Sequence, residues 1–173
     1  MPFKEIVQKV SNLKVKQIPI SDFLHLFKIF RSNFVKYGVV LENNNAAFIT
    51  PEMLQNYDLG KVLSDMTSHG KMKVNFPLEL YSSDHIIQAI NENNWNFVFY
   101  SLPFNLMINS VRNPFISHDL RMFNLETTYY FILHYFYQFS NSLSPPGTRI
   151  TVIRMLNTIV GITVVLSKYD FVK

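Results

Sequence analysis

The chain has 173 residues, of which 48% are hydrophobic and only 16% charged, which excludes a disordered chain and favours one folded domain. It contains no cysteine, which excludes disulfide bonds, thiolate metal sites and a cysteine nucleophile. The formal net charge of +4 favours anionic partners without choosing between nucleic acid and lipid headgroups.

Residues 1–41 hold most of the positive charge. They include seven lysine or arginine side chains and only two acidic ones, so the rest of the chain is nearly neutral. We therefore divide the single domain into a basic amphipathic N-terminal segment, 1–41, and a core, 42–173.

A helix is predicted in the second half of that segment. Ser21 or Asp22 can cap its start, and Gly38 is a natural stop. Five apolar side chains fall on one face at helical spacing: Phe23, Leu26, Phe27, Phe30 and Phe34. Two interpretations stay open, namely a helix that lies on an anionic membrane or holds a partner, and a surface helix that simply packs on the core.

The stretch Lys71–Trp95 predicts a strand followed by a helix. Met72, Val74 and Phe76 alternate with polar residues, as in a half-buried strand, and Pro77 limits or ends that strand. Ser82 or Ser83 then caps a helix whose inner stripe includes Ile86, Ile87 and Ile90.

The C-terminal third predicts more strands. Residues 120–139 are rich in β-branched and aromatic side chains, the Pro-Pro-Gly at 145–147 is a turn, and residues 149–160 show helical spacing that ends at Gly161. Residues 162–166 (ITVVL) indicate a final strand. The expected fold class is α+β: one compact domain with a twisted antiparallel sheet packed against helices, and an N-terminal helical segment.

Motifs for catalysis, cofactors and metals are missing from the sequence. It has no glycine-rich phosphate loop, no GxSxG elbow and no HxxxH pair, so we expect no cofactor and no metal site. Asp84-His85 and His118-Asp119 are only sequence neighbours. An enzyme that uses His118 and Asp119 remains an alternative, provided that the fold brings them into a pocket with another polar group.

The sequence also favours a protein that is neither secreted nor transmembrane. Residues 1–10 have no apolar core of a secretory signal. The most apolar long run, 150–166, is interrupted by Arg154 and Asn157.

Part of the chain resembles the matrix proteins of rhabdoviruses. The residues that match a KMxV strand, a proline, a Tyr-Ser-Asp group and a following tryptophan are Lys71, Met72, Val74, Pro77, Tyr81, Ser82, Asp84 and Trp95. The spacing departs from that family, because the gap from valine to proline is shorter and Ser83 separates Ser82 from Asp84. There is no PPxY motif, so a plant-infecting or otherwise divergent member fits better.

The resemblance implies a non-enzymatic virion protein that self-associates and links the viral ribonucleoprotein to the inner face of the membrane during assembly. It would lie in the virion and the infected-cell cytoplasm, peripheral to the membrane, with the viral nucleoprotein–RNA complex, anionic lipid and host factors as partners. Six cations would contact lipid or ribonucleoprotein: Lys4, Lys9, Lys14, Lys16, Lys28 and Arg31. Phe23, Phe27, Phe30 and Phe34 would add an apolar face. The alternative is a viral or host accessory protein that binds RNA or a protein partner, for example a suppressor of host defence.

Overall fold

The computed structural model describes residues 2–13, 20–41, 47–137 and 148–169, most of which are helical. The nine α-helices in these ranges are α1 (Phe3–Asn12), α2 (Phe23–Tyr37), α3 (Gly60–Ser64), α4 (Ser68–Met72), α5 (Asn75–Leu80), α6 (Ser83–Asn91), α7 (Trp95–Arg112), α8 (His118–Phe131) and α9 (Thr148–Tyr169). A 3₁₀ turn covers Pro51–Leu54, and a π-helical segment, Ile132–Tyr137, extends α8.

The expected α+β fold with a twisted sheet is therefore wrong, because the protein is mostly helical. Within the described residues, strand pairing is limited to a short antiparallel hairpin. Its strands are β1 (Val39–Leu41) and β2 (Ala47–Ile49), and Val39 lies opposite Ile49. This hairpin follows α2 and contacts α7.

The strands expected across residues 120–139 are replaced by α8 and the π-helical segment. Leu125, Thr128, Tyr129 and Ile132 are all buried, and they recur at the helical spacing of three and four residues. The Oγ of Ser117 accepts from the backbone N–H of Leu120 and caps the helix start. Burial of this stripe outweighs the β propensity of the side chains, which is weak and depends on context.

The strand expected at Met72–Phe76 is also absent, because Met72 ends α4 and Asn75 begins α5. Met72 is 64% exposed, so the alternating pattern did not reflect alternate burial. Pro77 lies in the first turn of α5, where the N–H that proline lacks would have no helical partner.

Gly161 does not end the last helix, and residues 162–166 continue α9 instead of forming a strand. The buried side chains of Leu156, Ile159, Val160, Thr163 and Val164 keep helical spacing across the glycine. Gly161 is itself buried inside the fold. Packing of the helix thus overrides the modest cost of an interior glycine.

Several helix predictions are confirmed. Asp22 caps α2 by accepting from the N–H of Leu24, and Gly38 ends the helix with a positive φ of 68°. The predicted helix after Ser82 is α6, although Ile87 and Ile90 of its expected inner stripe are exposed.

Aromatic rings from α2, from α7 and from the residue that follows α5 form the centre of the core. Phe27 of α2 contacts Tyr81, which follows α5, and Phe104 of α7, with ring centroids 5.9 and 5.2 Å apart. Phe34 packs on Tyr100 at 4.8 Å, and the phenols of Tyr81 and Tyr100 share a buried hydrogen bond of 2.7 Å. Helix α2 is therefore an integral part of the core, although it lies in the basic segment 1–41.

Candidate binding groove

The structure describes four of the six cations that the sequence brought together, and it places these four in different environments. Lys4 and Lys9 are exposed on α1, Lys28 is half-buried on α2, and Arg31 is only 1% exposed. Lys14 and Lys16 fall outside the described residues. The proposed contact set thus loses Arg31, because a buried guanidinium cannot reach a lipid or ribonucleoprotein surface.

The apolar face of α2 is directed into the protein. Phe27, Phe30 and Phe34 are buried and Phe23 is half-buried. Of the two interpretations that the sequence left open, the arrangement matches the helix that packs on the core. These four rings therefore serve packing in this structure, and the outward surface of α2 is the polar one.

A groove lies between that outward surface of α2 and the short helix α4, with a volume of about 360 Å³. Its basic lining residues are His25, Lys28, Lys36 and Lys71. Its apolar lining comes from Ile29, Tyr37, Met66 and Met72, and Ser32 and Asn33 complete it. We refer to this site as the basic groove.

The basic groove combines positive charge with an apolar floor. None of its ten lining residues is acidic. The Nζ of Lys28 donates to the carbonyl oxygen of Met72 at 3.5 Å, and the Nζ of Lys36 lies 4.9 Å from the ring centre of Tyr37. Lys28 and Lys36 thus lie against the groove lining, and the exposed Lys36 and Lys71 keep their charge at the rim.

The α4 side of the groove is positioned by a buried arginine. The side chain of Arg31 crosses from α2 and donates to the backbone carbonyls of Val62 and Asp65, at the C-terminal end of α3. Its guanidinium also lies over the ring of Phe76, 4.9 Å from the centroid. Burial lowers the pKa of Arg31, and the nearby negative charge of Asp65 opposes that effect.

Asp65 then fixes the turn into α4. Its carboxylate accepts from the N–H and hydroxyl of Thr67 at 3.2 and 2.6 Å and lies 3.7 Å from the Nζ of Lys73. The Thr67 hydroxyl in turn accepts from the N–H of Gly70, which caps α4. The hydrogen bonds from Thr67, followed by the charge of Lys73, hold the pKa of Asp65 below its usual range.

The described residues show no arrangement of side chains that supports the catalytic alternative. His85 Nδ1 lies 2.8 Å from the Ser82 hydroxyl and 2.8 Å from the carbonyl oxygen of Glu79, so its contacts stay at the junction of α5 and α6. Across the same residues, no group of three or more His, Asp or Glu side chains could hold a metal ion. His118 and Asp119 are neighbours at the start of α8, and neither lines the basic groove.

Within the part of the chain that the structure describes, one helix is long and apolar enough to cross a membrane by length and composition, namely the stretch Ile150–Lys168 of α9. Half of this stretch is buried inside the fold. Core helices of soluble proteins pass the same criterion, so α9 by itself is weak evidence for a membrane span.

Of the three lysines in the groove, only Lys28 was predicted from the sequence as a site residue. His25, Lys28, Ser32 and Lys36 recur every three or four residues on α2, so their common face could have been found from the helical period. Lys71 was missed because its neighbours were assigned to a strand.

Comparisons with protein-family models, with curated proteins and with solved structures found no match to this chain.

Proposed function

We propose that the protein is a non-enzymatic accessory protein whose basic groove binds an acidic, partly apolar segment of a partner protein. The observation that supports this proposal is the lining of the groove. It combines three lysines and a histidine with an apolar floor and no carboxylate. Acidic side chains of a partner would pair with the lysines, and an apolar side chain would cover Ile29, Met66 and Met72.

The shape and chemistry of the groove favour a protein segment over RNA. Single-stranded RNA is held by aromatic platforms on which bases stack. The lining offers two aromatic rings, His25 and Tyr37, and the ammonium of Lys36 already lies close to the Tyr37 ring. Methionine and isoleucine instead suit aliphatic side chains, and flexible methionines adapt to varied partners.

A flat bilayer is also a poorer match than a protein segment. Ile29 and Met66 are the half-buried part of the apolar lining, whereas Met72 is exposed. A planar surface would therefore contact the lysines and Met72 and leave Ile29 and Met66 uncovered. A protruding peptide reaches both.

The expected interaction is transient and salt-sensitive. Each exposed lysine–carboxylate pair contributes roughly 0.2–1 kcal/mol, and burial of one aliphatic side chain adds about 1.5–3 kcal/mol. Because the lysines lie at the rim, added salt screens the pairs and weakens the complex.

A broader role in virus assembly is also a proposal, and the groove by itself does not support it. The resemblance behind it includes a strand at Met72–Phe76, where this chain instead has the end of α4, a turn and the start of α5. In such a role, the groove would be the place where an acidic segment of the viral nucleoprotein or of a host factor attaches.

The test is binding of a fluorescent synthetic peptide that carries glutamates around a single leucine, followed by fluorescence anisotropy. The variant Lys28→Glu/Lys36→Glu/Lys71→Glu reverses the groove charge. The control Lys4→Glu/Lys9→Glu/Lys61→Glu makes the same change in net charge at exposed lysines outside the groove lining. We expect the groove variant to lose binding at least tenfold and the control to stay close to wild type.

An equal loss of peptide affinity in both variants would show that binding depends only on net charge, and this would overturn the proposal. A peptide with glutamine in place of leucine should bind more weakly, because the floor is then left uncovered. Two further probes are oligouridine and phosphatidylserine vesicles. Preferential binding of either one, abolished by the groove variant, would assign the groove to RNA or lipid instead of a protein segment.

A further inference from the structure

The outer face of the α7–α8 hairpin is a second surface, separate from the basic groove. Helices α7 and α8 run antiparallel, since Phe99 stacks on Phe131 at 6.4 Å at one end and Arg121 donates to the carbonyls of Ser110 and Asn113 at the other. Between these ends, the hydroxyl of Thr128 donates to the carbonyl of Pro103 at 3.3 Å. The pair is thus joined along its length and offers a stable platform.

Six apolar side chains and one threonine follow this outer face at helical spacing. Trp95, Phe99, Leu102 and Leu106 recur along α7 at intervals of four, three and four residues, and all four are exposed or half-buried. On α8, Leu120, Phe123 and Thr127 recur at intervals of three and four. We name these seven side chains the hairpin face. Such an interval pattern is typical of a seam that packs against another helix pair.

The turn between the two helices extends the hairpin face. Phe115 is 93% exposed in this turn, and its backbone N–H donates to the side-chain oxygen of Asn113 at 2.9 Å. Arg121 holds the end of α7 through the same residue, Asn113. The aromatic ring is therefore presented to solvent by a turn with defined hydrogen bonds.

We propose that a second copy of this chain covers the hairpin face, in a twofold dimer that places two hairpins against each other. Residues 93–111 include no charged side chain, so the one charge of α7 is Arg112 at its last position, outside the hairpin face. An uncharged apolar face is self-complementary, because a twofold axis brings the same patch onto itself. Two packed hairpins form a four-helix arrangement, a common solution for such faces.

The exposed area agrees with what a dimer needs. A fully exposed aromatic side chain offers about 200 Å². Trp95, Phe99, Phe115 and Phe123 are 48%, 41%, 93% and 63% exposed. Together they offer roughly 500 Å² per copy, or about 1,000 Å² for two, which approaches the size of a specific interface before the leucines are added.

A membrane is the less suitable occupant of this face. Helices that lie in a bilayer surface carry lysines and arginines beside their apolar stripe. Here α7 turns its other side into the core, Arg121 is engaged with backbone carbonyls, and Asp119 and Glu126 add negative charge to α8. Arg112, at the last position of α7, is the one exposed arginine of the two helices, and a single cation at one end is weak attraction for anionic lipid.

The test is the oligomeric state of the full chain, measured by sedimentation velocity over a wide concentration range. We expect a concentration-dependent dimer that Phe123→Glu converts to a monomer. Leu13→Glu is the control, since Leu13 at the end of α1 is 60% exposed and Phe123 is 63% exposed. This control should remain dimeric, and circular dichroism establishes that both variants keep their helix content.

A second measurement uses the absence of native cysteine. Thr127 lies near the middle of the hairpin face, so a twofold axis there brings it close to its own copy. Thr127→Cys should be crosslinked to a dimer by a short bismaleimide, and Leu13→Cys should not. If Phe123→Glu fails to fold, the crosslinking result tests the proposed dimer on its own.

A wild-type protein that stays monomeric at its highest concentration would overturn the proposal. So would a dimer that persists in Phe123→Glu or that fails to crosslink through Thr127→Cys. A monomer that floats with neutral phosphatidylcholine vesicles, and loses that property in Phe123→Glu, would assign the face to lipid and equally overturn it.

Discussion

The guanidinium of Arg31 donates twice to the carbonyl oxygen of Val62, from Nε at 2.8 Å and from Nη2 at 2.5 Å. Nη2 also donates to the carbonyl of Asp65 at 2.9 Å. Because a positive charge at a helix C-terminus is favourable, this buried side chain stabilises the end of α3 and fixes where α4 begins. One residue of the core thus determines one side of the basic groove.

Arg31→Met should destabilise the protein by about 3 kcal/mol and weaken peptide binding. The two carbonyl oxygens lose charged donors, each worth roughly 1.5–3 kcal/mol, and stay shielded from water. Chemical denaturation measures the change in the free energy of unfolding. The exposed Arg112→Met is the control and should lie within about 0.5 kcal/mol of wild type. Similar stability in the two variants would contradict the role given to Arg31.

Gly70→Ala should displace α4, because a Cβ at this position would overlap the carboxyl group of Asp65 and lie 2.7 Å from its backbone oxygen. Overpacking of this kind costs about 1–3 kcal/mol. Gly60→Ala is a matched control, since nothing lies within 4 Å of its Cβ position. We expect Gly70→Ala to lower both the melting temperature and peptide affinity, whereas Gly60→Ala should leave both unchanged or slightly raised.

Asp65→Asn should reduce the loss of stability in acid. Hydrogen bonds from Thr67 lower the folded-state pKa of Asp65, so its contribution is present above the unfolded-state pKa of about 3.9 and is lost as pH falls through the folded value. Unfolding curves between neutral pH and acid should therefore converge for wild type and variant at the acid end. Parallel curves over that range would show that Asp65 is not the titrating group.

Tyr100→Phe should reduce the loss of stability in alkali. Burial raises the pKa of Tyr81 and of Tyr100, both of which are fully buried. Stability is therefore constant below the unfolded-state pKa of about 10 and falls as pH rises above it, because only the unfolded chain ionises. With one phenol removed, the alkaline slope of the unfolding free energy should become shallower. An unchanged slope would indicate that other groups dominate.

Local signals predicted the helices that have caps and a clear period, but not those whose side chains favour strands. Asp22 and Gly38 bound α2 as expected, because a cap and a positive-φ glycine act within a few residues. The aromatic run in α8 was misassigned because burial against α7 and α9, which decides its conformation, depends on residues far away in sequence.

The candidate site was predicted only in part for the same reason. Lys28 was identified from the charge of the first segment, whereas the pairing of α2 with Lys71 depends on a tertiary contact. Arg31 was expected at the surface because charged side chains are rarely buried. Its carbonyl acceptors, which make burial possible, come from residues 31 and 34 positions further along the chain.

The attachment of α4 affects how the groove would respond to a partner. Gly70 is the one buried residue of this helix, so α4 has almost no apolar anchor and is held through the polar contacts of Asp65, Thr67 and Lys73. A segment with few buried apolar contacts opens at a lower free energy than the core, and α4 can separate from α2 while the aromatic centre stays intact. Binding would then include the free-energy cost of ordering α4. A change that stabilises α4 should therefore also raise the affinity for the partner.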